Sequence, residues 1–341
     1  MRRSLRVLIL APRSRGVGGI AQHVRGLARR LESMGHHVSL ISSETLHAPK
    51  PRLLANPVYA ALAALRSLKG RYDIAHGHNL PTLPALHAAH AEAKILTLHG
   101  VYSRQVSALH GGVLGRLAEL AEAIAASRLQ LTAVSEEAAR HYERMGARVA
   151  HIPNAVELSE MPRDGWRLQS PQITYLGRLS REKGVDLLLE AAGKGLRGLV
   201  VVGDGPMRRE VEKAARKGLL RYLGPLPRPK ALKLLAGSDL MLLPSRMEGV
   251  STTLLEAMAL RVPIVATGVG GTREVVRDGV EALLVEPRAE AIMDAVERLL
   301  SDETLAEILS ENAYRRVKER YSWERVADMY LKLYLKLLRN T

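Results

Sequence analysis

The chain has 341 residues, a formal net charge of +15, and neither cysteine nor phenylalanine. At this length roughly 75% of the unfolded surface can be buried, which favours two domains. Without cysteine there are no disulfides, thiol nucleophiles or zinc–thiolate sites, which fits a reducing, cytoplasmic compartment, and no apolar run is long enough for a transmembrane helix.

The opening M-R-R-S-L-R is basic, but the apolar run that follows is short and reads as a first strand, Arg6–Ala11, rather than a signal peptide. Helical spacing then covers Ile20–Met34 and stops near Gly35. Val38–Ser42 is a second strand, Leu53–Leu68 a helix, Ile74–His76 a third strand and Ile95–Leu98 a fourth. An Ala/Leu-rich helix follows near residues 113–127, then strands at Leu131–Val134 and Val149–Ile152. Residues 159–171 are polar, contain Pro and Gly, and read as a linker. The alternation restarts with strands at Ile173–Leu176, Leu199–Val202, Asp239–Leu243, Pro263–Ala266 and Ala282–Val285. It ends in one amphipathic helix, Trp323–Leu338. Strands alternating with helices imply parallel βαβ units, and ligands of such sheets sit at the strands' carboxyl ends. The expected class is α/β, two parallel-sheet domains with a cleft between them.

Charge and histidine are unevenly distributed. Residues 1–71 hold 13 Lys and Arg against Glu32 and Glu44, and all 12 histidines lie at or before His151. The basic excess suits an anionic partner. Nucleic acid is not expected, because aromatics for base stacking are few and no nucleic-acid module is recognisable. An anionic membrane surface is the other candidate, met through Arg25, Arg29 and Arg30 on one helix and Lys50, Arg52, Arg66 and Lys69 flanking the next. A plain solvated basic face is the alternative.

Glu248 and Glu256 bracket seven residues between an apolar run and a helix-like run, with Ser251, Thr252 and Thr253 where the helix begins. A helix start attracts phosphate through unpaired N–H groups and its dipole, and the two carboxylates are suited to hydroxyls. Arg178 leaves the strand Ile173–Leu176, and Lys183 stands just before the next helix. A planar fork and a compact ammonium together suit a diphosphate, although two solvated cations would look the same. The turn at Gly203 and the glycine loop Gly268–Gly271 add backbone donors in the same half. His99 closes one strand, and His76 and His78 close its neighbour. A metal site from His76, His78, His87 and His90 lacks accompanying carboxylates. No D-x-D occurs to carry a divalent ion, so no metal is expected.

Near the N-terminus, Gly16, Gly18 and Ala21 fit G-x-G-x-x-A, with Glu44 ending the second strand. This supports a rival reading as an NAD-dependent oxidoreductase. Pro12–Arg15 makes that loop long for a dinucleotide site, and a plain strand–helix turn is the bland alternative. A silent sugar-nucleotide or membrane-binding module is a third reading.

The order of these segments resembles glycosyltransferase family 4, retaining enzymes of the GT-B fold. The likeness runs through Gly18-Gly19, D-I-A-H-G-H-N at Asp73–Asn79, T-L-H-G at Thr97–Gly100 and I-P-N-A-V at Ile152–Val156. It continues with G-R-L-x-x-x-K-G at Gly177–Gly184, V-G-D-G-P at Val202–Pro206, P-S-R-M-E-G at Pro244–Gly249, E-A-M-A at Glu256–Ala259 and G-G-x-x-E at Gly270–Glu274. The resemblance implies two Rossmann-like domains facing across a deep cleft. Residues 1–162 plus the returning 323–341 would be the acceptor domain and 163–322 the donor domain. It further implies retaining transfer of a hexosyl group from a nucleotide-diphosphate sugar to a glycan, lipid or lipid-linked hydroxyl, without a metal cofactor. On that likeness Arg178 and Lys183 hold the diphosphate, Glu248 the sugar hydroxyls and Glu256 the ribose. Gly249, Val250, Ser251, Thr252, Thr253 and Gly203 line the donor, while Gly18, Gly19 and His99 reach it from the other half. Val250 stands where the family usually has Phe, and Ala282 where it often has Gly.

Overall fold

The computed structural model describes residues 4–14, 19–46, 55–103, 106–107 and 111–340. The chain forms two compact units, one of Met1–Ala155 with Trp323–Thr341 and the other of Val156–Ser322. Residues 159–171, expected as a linker, belong to the second unit. The Trp166 amide donates to the Lys233 carbonyl at 2.6 Å, and the buried Gln172 side chain donates to the carbonyls of Trp166 and Leu234. These bonds tie the segment to the end of the helix Arg228–Ala236, so it is not a free connector.

The first unit holds β1 (Arg6–Leu10), β2 (His37–Ile41), β3 (Arg71–His78), β4 (His90–Leu98), β5 (Gln130–Ala133) and β6 (Arg148–His151). They form one parallel sheet in the order β2-β1-β3-β4-β5-β6. Alternate side chains of a strand face opposite sides. Leu8, Leu10, Ala75, Leu96 and Leu98 accordingly pack with Tyr59 and Tyr142. Val7, Ile9, Ile74 and Ile95 pack on the other side with Val24, Leu27 and Leu31 of Gly19–Ser33 and with Trp323, Tyr330 and Tyr334 of Trp323–Arg339. The returning terminal helix thus completes the first unit's core. Helices cover both faces, so the strands read as near-continuous apolar runs. β3 and β4 begin earlier than their apolar runs, at Arg71 and His90, because sheet pairing extends into polar sequence.

The second unit holds β7 (Ile173–Leu176), β8 (Leu199–Val202), β9 (Arg221–Tyr222), β10 (Leu240–Leu243), β11 (Ile264–Thr267) and β12 (Leu283–Val285). Its order is β12-β11-β10-β7-β8-β9, again parallel. β9, only two residues long and without an apolar run, was not among the expected strands. The first strand of this unit, β7, lies beside β10, while the connection from β7 to β8 leads the other way. Such a reversal leaves room between the diverging connections at the strands' carboxyl ends.

Candidate functional site

The segments leaving β7 and β10 are the ones that carry the expected donor residues. After β7 the chain passes Arg178 and makes a 3-10 turn, Arg181–Lys183. After β10 it runs through Pro244–Gly249 to the helix Thr252–Ala259. The amides of Arg246 and Met247 both donate to the Glu182 carbonyl, at 2.8 and 3.1 Å, which locks one loop onto the other. Gly184 makes that contact possible. Its φ is +69°, and a Cβ there would overlap the Pro244 carbonyl.

This locking brings two of the predicted side chains together. Lys183 Nζ donates to Glu248 Oε1 at 2.7 Å, and Ser245 Oγ donates to Glu248 Oε2 at 2.9 Å. The Glu248 side chain is 7% exposed and that of Lys183 27%, so the carboxylate is enclosed while the ammonium still meets solvent. An ammonium has three donors, and this bond uses one. Beneath Glu248, its carbonyl accepts from the Gly271 amide at 3.0 Å, which places the glycine loop Gly268–Gly271 as a floor for the loop Glu248–Gly249. Ser251 caps the following helix, its Oγ accepting from the Leu254 amide. Gly249 is exposed, Ser251, Thr252 and Thr253 are half-buried, and Val250 is buried in the core beneath. Ala282, the other departure, is buried in the same cluster.

Arg178 is exposed, with Glu182 as its ion-pair partner at 3.9 Å. It therefore lies just before the turn that carries Lys183 and is not part of the Lys183–Glu248 bond. Gly203 has φ +143°, and a Cβ on it would overlap the Gly177 carbonyl, so this glycine lets β8 turn close beside the segment that carries Arg178. Glu256 lies inside the helix, 4% exposed, and is bonded to Arg228 Nε at 3.0 Å. Burial pushes its carboxyl above the usual range, and the Arg228 guanidinium works against that rise.

Comparison with known proteins matches these two halves to two family models. "Glycosyltransferase Family 4" covers residues 17–160 and "Glycosyl transferases group 1" covers residues 159–316. The chain belongs to glycosyltransferase family 4. Among relatives of the glycosyltransferase is phosphatidyl-myo-inositol mannosyltransferase of Mycobacterium tuberculosis, 27% identical, with 97% of this chain and 96% of that one covered. Sucrose-phosphate synthase from Thermosynechococcus elongatus has a similar structure, with TM-score 0.85 at 20% identity over 99% of this chain and all of that one. Anabaena HepE in complex with UDP-glucose gives TM-score 0.75 at 17% identity over 96% and 99%. The fold is GT-B, each unit carrying one six-stranded parallel sheet.

In the first unit of this glycosyltransferase, Gly18 lies outside the described residues and Gly19 opens the helix Gly19–Ser33. Glu44, which the oxidoreductase reading required for a ribose, accepts instead from the amide and hydroxyl of Ser14. Burial opposes its ionisation, but these bonds hold its carboxyl below the ordinary value. His99 is partly buried; its amide donates to Asn79 Oδ1 at 3.1 Å, and its Nε2 lies 3.2 Å from His78 Nδ1. His76 and His78 are both fully buried, not open at the strand end as their position suggested. His76 is fully buried, 2.7 Å from Tyr334 Oη and 2.6 Å from Thr97 Oγ1, and its ring stacks on that of His78 with centroids 4.4 Å apart. Tyr330 and Tyr334 of the terminal helix cover His76, and His78 is enclosed by the rings of His23, His76 and His99. His87 and His90 are exposed, and His87 bonds the Leu83 carbonyl within its own helix, so these two are set in different surroundings from the buried pair.

Sequence reasoning passed over Ser245 and Arg228. Ser245 was legible in principle, three residues before Glu248 in P-S-R-M-E. Arg228 sits between two prolines, 28 residues from Glu256, with no motif to connect them.

Proposed function

We propose that this family 4 enzyme transfers a hexosyl group, with retention, from a nucleoside-diphosphate sugar to a hydroxyl acceptor. The observation that carries this reading is the chain Lys183–Glu248–Ser245 at the carboxyl ends of β7 and β10. In the reaction the bond between sugar C1 and the diphosphate oxygen breaks, and its electron pair goes to the diphosphate. Lys183, Arg178 and the amides at the start of Thr252–Ala259 stabilise that charge; preorganised electrostatics of this kind is commonly the largest catalytic contribution. The acceptor oxygen bonds to C1 on the same face, and its proton goes to the departing phosphate. Glu248 is poorly suited to be a covalent nucleophile, since both its oxygens already accept hydrogen bonds. It fits better as the acceptor for sugar hydroxyls, with Glu256 taking the ribose. Gly203 and the segment from Gly249 to Thr253 line the donor in this reading. Gly18, Gly19 and His99 are assigned to the donor by the family resemblance. The positive charge that a divalent ion supplies elsewhere comes here from Lys183 and Arg178, so the reaction runs without metal.

The UDP-glucose bound by Anabaena HepE supports a nucleotide sugar as donor. Thermal unfolding with UDP-, GDP- and ADP-sugars, followed by NMR of the product's anomeric carbon, tests the reading. One donor should raise the midpoint and yield a product of unchanged anomeric configuration. Inversion would sink the retaining mechanism, and no response to any donor would sink the function.

For the acceptor, a lipid-linked hydroxyl at an anionic membrane surface is the reading we favour. No described helix is long and apolar enough to cross a membrane. The basic residues of Gly19–Ser33 are engaged within the unit, Arg25 donating to the Ser14 carbonyl and Arg30 pairing with Glu324. A different face supports docking. Leu65 and Leu68 are 63% and 49% exposed, and Val113, Leu117 and Leu120 are 78%, 59% and 60% exposed. They lie on helices Ala55–Ser67 and Gly112–Arg128, or just beyond, and both helices pack on the same side of the sheet. Exposed Arg66 and Lys69 flank the leucines. Apolar side chains beside basic ones suit the interface of an anionic bilayer. Co-sedimentation with phosphatidylglycerol vesicles should be salt-sensitive and weakened by Leu65→Ser with Leu117→Ser. Absence of binding to the unaltered protein would end this part of the proposal.

A further inference from the structure

A carboxylate taken out of water is protonated unless a partner offsets the lost hydration. Glu256 is 4% exposed on a helix whose backbone is fixed by its cap at Ser251. Among the described residues, its one hydrogen-bonding side chain is Arg228, through Nε to Oε1 at 3.0 Å, and Oε2 has no partner. Arg228 is itself shared. Its second arm, Nη1, donates to Glu160 Oε2. It stands at the first turn of Arg228–Ala236, with Pro227 before it and Pro229 after it, so its backbone has little freedom. A guanidinium held between two carboxylates fixes the plane of both, because its donors form a rigid fork.

We propose that Arg228 is a positioning residue for donor binding, holding Glu256 by Oε1 so that Oε2 is presented, ionised, to a ribose hydroxyl of the nucleotide. This rests on the reading of Glu256 as the ribose-binding carboxylate. Glu256 is already raised by burial, and Arg228 is what opposes that rise. Glu160 raises Glu256 further, so the two carboxylates compete for one cation. A protonated Glu256 retains one fewer acceptor and exchanges a charged hydrogen bond for a neutral one.

The test is calorimetric binding of a nucleoside diphosphate between pH 5 and 8. The probe is whichever of UDP, GDP and ADP most raises the unfolding midpoint of the unaltered protein. Arg228→Gln should weaken binding about tenfold at pH 7, the worth of one hydrogen bond to a charged group, and should move the acid limb of the affinity profile to higher pH. Arg228→Lys should restore the limb towards its original position. Glu256→Gln should weaken binding and remove the dependence of the limb on residue 228. Uniform weakening by Arg228→Gln at every pH, or none, while Glu256→Gln still weakens binding, would overturn the role of Arg228 and leave the ribose reading intact. Unchanged binding in Glu256→Gln would overturn the ribose reading itself. Should Arg228→Gln fail to fold, Glu160→Gln decides. Freed from its competitor, Arg228 should draw the acid limb to lower pH, and an unmoved limb would overturn the proposal.

Discussion

Lowering the pH from 7 to 5 should destabilise the first unit selectively, because its core contains neutral histidines. His23 is held between Asn154 Oδ1 and Tyr330 Oη, both at 3.1 Å, and His76 between Tyr334 and Thr97. Burial lowers His23 from 6.5 to about 4, with the Asn154 bond opposing, and lowers His76 to about 3, with His23 adding to the effect. Between these values and 6.5 the unfolded chain binds more protons than the folded one. The stability is therefore complete above about 6.5 and is lost as pH falls below it. Each histidine contributes about 1.4 kcal/mol per pH unit in that window, or about 2 kcal/mol by pH 5, and the two together about 4 kcal/mol. Typical domains have roughly 5–15 kcal/mol in total. Trp323 reports on this core, 4% exposed with its ring 5.1 Å from that of His23, whereas Trp166 belongs to the second unit. Urea unfolding of a Trp166→Phe variant, followed by Trp323 fluorescence, should show a much lower midpoint at pH 5 than at pH 7. His78 and His99 are lowered by burial as well, so a His23→Gln variant should lose about 2 kcal/mol less than the unaltered protein over the same range. Equal midpoints at the two pH values would refute the reasoning.

Other outcomes follow from the second unit. Gly184→Ala places a Cβ against the Pro244 carbonyl at a left-handed φ, which should cost roughly 2–4 kcal/mol from overpacking and backbone strain together. Thermal unfolding measures this, and a loss below about 1 kcal/mol would show that the two loops are not locked as described. Transfer should survive EDTA treatment of the purified enzyme; full loss on chelation with recovery on adding Mg²⁺ would contradict metal independence. Ser245→Ala leaves Glu248 one donor short, and should lower kcat/KM by roughly tenfold, the worth of a hydrogen bond to a charged group, with a loss of unfolding free energy of no more than about 1–2 kcal/mol.

The parallel architecture was legible because strands covered on both faces must be apolar throughout, as in R-V-L-I-L at β1 and L-V-V-V at β8. The pairing of Lys183 with Glu248 was legible only in outline. Both residues were assigned to one donor, but the bond between them depends on β7 lying beside β10, which local sequence does not state. His76 and His78 show the opposite failure. A histidine at a strand's end resembles a ligand-binding group, yet His76 is covered by a helix some 250 residues later, with Tyr334 at 2.7 Å, and His78 by the rings of His23, His76 and His99. The linker at 159–171 misled for a related reason. Composition records polarity, yet the Trp166 amide and the Asp164 carboxylate tie this segment to Lys233, and Gln172 just after it bonds Leu234 and Ser238. Arg228 was invisible because its partners, Glu160 and Glu256, are distant in sequence in both directions.

The central claim is that the loops after β7 and β10 hold a nucleotide-sugar diphosphate through Lys183. The most direct measurement compares sugar transfer by the unaltered enzyme with that by Lys183→Ala, using the donor that gives the largest thermal shift. Loss of one such charged contact should lower kcat by about 10²–10³-fold while the variant stays folded. A folded Lys183→Ala enzyme that transfers sugar at the original rate would contradict the account.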